Sequence, residues 1–136
     1  MNWMTCTISA TVLYGMWGLL SKMASNRIGY KSLFVYDCLV FVIGGLIVLY
    51  RNGFKLETSP GGIAYSLLYG ATGMIATFLF IIAISKGKAS LVTAITAVYP
   101  CVTILLAMFI FKEAITAKQV CGILFSIFGV VLITLK

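Results

Sequence analysis

The sequence predicts an all-α membrane protein, a bundle of five transmembrane helices making one domain over residues 1–136. Three observations lead there. Five long apolar stretches, at about 4–23, 32–50, 63–85, 89–111 and 118–135, fill the chain. A helix rises about 1.5 Å per residue, so about 20 residues cross the roughly 30 Å hydrocarbon core of a bilayer. The pieces between the stretches, such as 25–31 and 51–61, are too short to hold a soluble domain. The composition agrees: 62% of residues are hydrophobic and 10% charged, where a soluble domain carries about 25% charged residues. The mean hydropathy is +1.12.

The first span carries a mildly polar stripe. Thr7, Thr11, Tyr14, Gly18 and Ser21 follow one another at steps of four and three, which puts them on one helix face. Such a face lines a polar cavity or packs closely against another helix through small and hydroxyl residues. The second span holds the one acid well inside an apolar run, Asp37. A charge at mid-bilayer costs about 2.5–3.5 kcal/mol on insertion scales, and less near the interface. Asp37 is therefore a candidate proton or cation site, or a group that reaches headgroup water or pairs with a cation. Gly44 and Gly45 allow a close crossing in the middle of this helix.

The third span aligns Ser66, Gly70, Gly73 and Thr77, a face expected to pack tightly. It ends in Ser85, Lys86, Gly87 and Lys88, so spans three and four are expected to form an antiparallel hairpin. In the fourth span Thr93, Thr96, Pro100, Thr103 and Ala107 share a face, with Tyr99 beside the proline. Pro100 removes a backbone donor and crowds the carbonyl of Thr96. A kink follows, tolerable in a membrane where protein or a wet cavity covers the freed carbonyl. Lys112 and Glu113 close this span as interfacial end-charges. In the fifth span Gly122, Ser126 and Gly129 form a seam for another helix or subunit.

The charge pattern bears on partners. The net charge is +7, but the ten Lys and Arg residues sit at helix ends, where they reach headgroups and help to set topology. No basic stripe with interleaved aromatics marks a nucleic-acid surface. Histidine is absent, and Cys6, Cys38, Cys101 and Cys121 show no paired spacing, so neither a metal nor a cofactor is expected. The N-terminal residues lack the basic region of a cleavable signal peptide. With five spans, Arg51, Lys55, Lys112 and Lys118 share the side of the N-terminus. Lys22, Arg27, Lys31, Lys86, Lys88 and Lys136 fall on the other side. The larger set belongs in the cytoplasm, which puts the N-terminus outside. A bias of six to four is small enough for insertion in both orientations.

Residues 87–136 resemble the EamA domain of the drug/metabolite transporter superfamily. The resemblance rests on the basic turn at Lys86 to Lys88, the small and hydroxyl residues leading to Tyr99 and Pro100, and the apolar run to Lys112 and Glu113. Gly122 and Gly129 follow. Trp17 and Gly18 look like the family's first-helix pattern, and the five-span layout matches one EamA unit. Most members have two such units related as inverted repeats, a known route to alternating access. The resemblance thus implies that this chain is one half of an inverted-repeat transporter. Its partner would be a second copy in an antiparallel homodimer or a related short chain. The related small multidrug exporters have four spans and a glutamate in the first. The first span here has no acid, so proton-coupled drug export would need Asp37 instead.

The function expected is transport of a small solute across the plasma membrane by a dimer, with no chemistry catalysed. The candidate solute contacts are Tyr14, Trp17, Ser21, Thr77, Thr93, Thr96, Tyr99 and Thr103, with Asp37 as the coupling candidate and Pro100 at the kink. Hydroxyls and aromatics suit a neutral or zwitterionic metabolite. A lipid-linked sugar flippase subunit and a non-transporting accessory subunit are the alternatives. An enzyme is disfavoured, because the chain lacks paired carboxylates and a phosphate-binding glycine loop.

Overall fold

The structure is a computed structural model that describes residues 2–135. Lys136, one of the cations in the orientation argument, lies outside the described residues. Among the described residues all regular structure is helical: α1 (Trp3–Ser25), α2 (Tyr30–Arg51), α3 (Pro60–Lys86), α4 (Ala89–Thr96), α5 (Tyr99–Phe111) and α6 (Ala117–Thr134). The fold is the expected all-helical membrane bundle, and α4 and α5 together are the fourth span. The expected ends are met to within three residues, the largest shift being the start of α3 at Pro60.

Local sequence explains these ends. The Asn2 side chain caps α1 by accepting from the Met4 N–H at 3.4 Å. Ser59 precedes α3 and accepts from Gly62 N–H, while Pro60 opens the helix where its missing N–H costs nothing. That added turn was hidden from a reading based on apolarity alone. After α2 the chain reverses through left-handed residues, Gly53 at φ 63° and Phe54 at φ 59°.

By length and composition, α2, α3, the combined α4–α5 stretch and α6 can each cross a membrane. α1 has 23 residues, enough to cross, but falls below these four in apolarity. The cause is its polar content: Thr5, Thr7, Ser9 and Thr11 occupy its first half. The Thr7 and Thr11 hydroxyls are satisfied by donating to the carbonyls one turn back, Trp3 and Thr7, each at 2.9 Å. That makes them cheaper to place in hydrocarbon.

The chain divides into two compact units, Met1–Lys86 and Gly87–Lys136. In the first, α1, α2 and α3 pack on one another. Lipid tails are as apolar as leucine, so association rests on shape and hydrogen bonds rather than on escape from water. Aromatic rings supply the shape. Trp17 stacks on Phe80 with centroids 4.8 Å apart and planes at 22°, joining α1 to α3. Phe34 meets Phe78 edge-on at 4.9 Å, joining α2 to α3. Ile81 and Ile84 are fully buried. Lys22 Nζ donates to the Ile84 carbonyl at 2.9 Å, tying α1 to the last turn of α3.

The tight packing expected at Gly70 and Gly73 is not found within this unit. A Cβ added at either position would meet nothing within 4 Å. The reason is the ring packing: α3 meets its neighbours through Phe78, Phe80 and Ile81, one to three turns further on.

In the second unit α4 packs on α6. The fourth span is interrupted at Ala97 and Val98, and Pro100 is the second residue of α5. On each side of the interruption the hydrogen bonds shorten to three-residue steps. Val98 N–H donates to the Ile95 carbonyl at 3.2 Å and Cys101 N–H to the Val98 carbonyl at 2.9 Å. A proline at 100 cannot donate to Thr96, so the chain tightens around the missing bond. α5 ends on Lys112 at φ 54°, a left-handed cap. α6 begins with a capping box. Thr116 Oγ1 accepts from Gln119 N–H at 3.3 Å, and Gln119 Oε1 accepts from Thr116 N–H at 2.8 Å.

Candidate functional site

In the first unit a pocket of about 190 Å³ opens between α1, α2 and α3, lined by Trp17, Leu20, Ser21, Ala24, Leu33, Asp37 and Ile81. Trp17, Ser21 and Ala24 lie at steps of four and three along one face of α1. Asp37 comes from α2, seven residues or about 10 Å beyond its start. Ile81 comes from α3.

Three polar groups meet here. The Trp17 indole lies beside the Asp37 carboxylate, and its N–H is its only donor. Stacking on Phe80 fixes the ring that presents this N–H. Ser21 is 7% exposed, and its Oγ is buried with no hydrogen-bond partner. The neighbouring hydroxyls behave otherwise, since Ser25 Oγ donates to the Lys22 carbonyl at 2.9 Å. A buried hydroxyl without a partner costs about 1–3 kcal/mol. Asp37 is half-buried and has no cationic partner among the described residues. The pocket therefore offers two unspent acceptors, a carboxylate and a hydroxyl, within helices built to lie in hydrocarbon.

The second unit holds a larger pocket of about 430 Å³ at the turn from α5 to α6. Thr103, Ala107 and Phe111 contribute from α5, Glu113, Ala114 and Ile115 from the turn, and Gln119 from α6. The capping box places Gln119 at its edge.

Of the expected solute contacts, the first unit brings together Trp17 and Ser21, joined by Asp37. Tyr14 is exposed and Thr77 half-buried, and neither lines that pocket. In the second unit Thr103 lines the larger pocket, while Thr93, Thr96 and Tyr99 do not. The threonine hydroxyls there are spent on their own helix. Thr93 donates to the Ala89 carbonyl at 2.7 Å, Thr96 to Val92 at 2.8 Å, and Thr103 to Tyr99 at 3.4 Å. Glu113 and Gln119 were not among the expected contacts. The sequence signal for Gln119 was its place three residues after Thr116, the spacing of a capping box.

Comparison with known proteins places the chain. An uncharacterized protein of Methanocaldococcus jannaschii, MJ1333.1, is 27% identical over 125 residues, covering 92% of this chain and 90% of that one. No solved structure matches. The EamA-like transporter family matches residues 1–135. With apolar helices of crossing length and a match over nearly all of the sequence, the chain is an integral membrane protein and belongs to the EamA-like transporter family.

Proposed function

We propose that the protein carries a small neutral or zwitterionic metabolite across the plasma membrane by alternating access, working as an antiparallel dimer. The observation that carries this reading is the Trp17–Ser21–Asp37 pocket. An acid and an unpartnered hydroxyl inside a membrane bundle are costly to maintain, and such groups mark solute or ion pathways. The family supports transport in general terms. The dimer reading rests on the resemblance to transporters in which two such units are paired as inverted repeats. The six-to-four split of Lys and Arg supports insertion in both orientations, the N-terminus-out form being slightly favoured.

The test is uptake by purified protein in liposomes, across metabolite classes, with and without a proton gradient. Saturable uptake of one class is the expected result; none for any class rejects the transport reading. Adding two or three lysines to one side of the membrane should lock one orientation and reduce uptake. Mixing variants locked in opposite senses should restore it. Normal uptake by a single locked orientation rejects the antiparallel dimer.

A further inference from the structure

We infer that the pocket between α1, α2 and α3 holds a primary ammonium group. Asp37 supplies the counter-charge and Ser21 Oγ a second acceptor. This rests on the transport reading and narrows it to solutes bearing an amine.

The acceptors and donors on the pocket wall set the chemistry. An ammonium group carries three donors and no acceptor. The pocket is lined by a carboxylate and by a serine whose buried hydroxyl has no partner, and the Trp17 indole lies beside the carboxylate without adding charge. An anionic headgroup would face Asp37 with no cation lining the pocket to compensate. A metal cation wants six or more oxygens, or several retained waters, and two side chains supply too few. A quaternary ammonium has no N–H to give Ser21. It would rely on an aromatic face, and one face of Trp17 is covered by Phe80 at 4.8 Å.

Size points the same way. A pocket of about 190 Å³ is below the roughly 300–1,000 Å³ of sites that enclose a drug-sized ligand. It suits an amine and a short stem, with Leu20, Leu33 and Ile81 against the carbons. The rest of the solute would extend out of the pocket. The amine gives the Ser21 oxygen a donor, and Asp37 gains a paired charge in a low-dielectric setting.

Trp17 makes the test independent of transport. The chain has two tryptophans, and Trp3 is exposed at the start of α1. The Trp3→Phe variant, in detergent, therefore reports Trp17 fluorescence alone. Titration with ethylammonium chloride at constant ionic strength, balanced with sodium chloride, should change that signal saturably. The midpoint should be on the order of millimolar for so small a ligand. Tetramethylammonium under the same conditions should give no saturable change. In the Trp3→Phe background, Ser21→Ala should weaken the ethylammonium midpoint about three- to tenfold. Asp37→Asn should abolish the response while far-UV circular dichroism stays helical.

The proposal is overturned by a flat ethylammonium titration, by an equal response to tetramethylammonium, or by an unaltered response in Asp37→Asn. If Asp37→Asn fails to fold, Ser21→Ala decides, and an unchanged midpoint there overturns the proposal. Uptake of a solute without an amine, with no ethylammonium response, would sink this inference and leave transport standing. An ethylammonium response with no uptake of any solute would do the reverse.

Discussion

Polar groups are accommodated in different ways along α4 and α5 of the second unit and around the pocket of the first. In the second, the threonine hydroxyls of α4 and α5 each donate to a carbonyl of their own helix, and the proline is accommodated by shortening the neighbouring bonds. The protons of these hydroxyls are satisfied within their own helices. In the first, Ser21 and Asp37 keep acceptors unspent around a small pocket, while ring stacking and two buried isoleucines hold the helices together. The contrast separates two meanings of a polar residue in a membrane helix. A back-bonded hydroxyl has given its proton to its own helix, whereas that of Ser21 has both its proton and its lone pairs without a partner.

The interruption of the fourth span gives the largest expected effect. Pro100→Ala restores a donor for the Thr96 carbonyl and removes a clash that costs about 3 kcal/mol in a helix interior. Residues 97–101 should become continuous with α4 and α5, and their amide exchange should slow to match the flanking turns. The Trp17 signal of the first unit should not change. Persistent fast exchange at 97–101 would mean that something other than the missing donor holds the helix open.

Burial separates the units next. Ile84 is 0% exposed in the first unit, and Ile110 is 67% exposed in the second. In a bilayer the unfolded reference is still solvated by lipid, so the transfer term from water largely drops out and the cavity term remains. Ile84→Ala should cost about 2 kcal/mol at about 24 cal/mol per Å³ of void. Ile110→Ala should cost close to nothing. Denaturation in mixed micelles measures both, and equal losses would contradict the difference between a packed Ile84 and an exposed Ile110.

The sequence made the elements legible and the conjunctions only in part. Apolar run lengths located the ends of every span to within three residues, because the bilayer imposes one length on all spans. Pro100 pointed to the place where the fourth span is interrupted. Asp37, Ser21 and Trp17 each stood out for separate reasons. Their meeting depends on the register between α1 and α2, which Phe78, Phe80 and Ile81 on α3 help to set. One signal for it was present: an indole in an apolar span needs an acceptor, and Asp37 is the one acid inside an apolar run. The small-residue face of α3 misled, because small residues permit close approach without compelling it. The pocket at the α5–α6 turn was not legible, because an acid at a span end has the same sequence signature whether it meets headgroups or lines a turn folded against Gln119.

The smallest effect concerns how that turn is held. Lys112 sits at φ 54°, where a side chain costs roughly 1–2 kcal/mol that glycine does not pay. Lys112 is also the residue where α5 stops, so the left-handed conformation is what redirects the chain toward the Thr116 capping box. Lys112→Gly removes the steric cost but gives the unfolded chain more freedom, so the net gain should be only about 0.5–1 kcal/mol. Lys112→Ala keeps the Cβ and should give no such gain. Both lose the same charge, so their difference isolates the backbone. If glycine and alanine behave alike in a denaturation series, the turn is held by charge at the interface rather than by the left-handed residue.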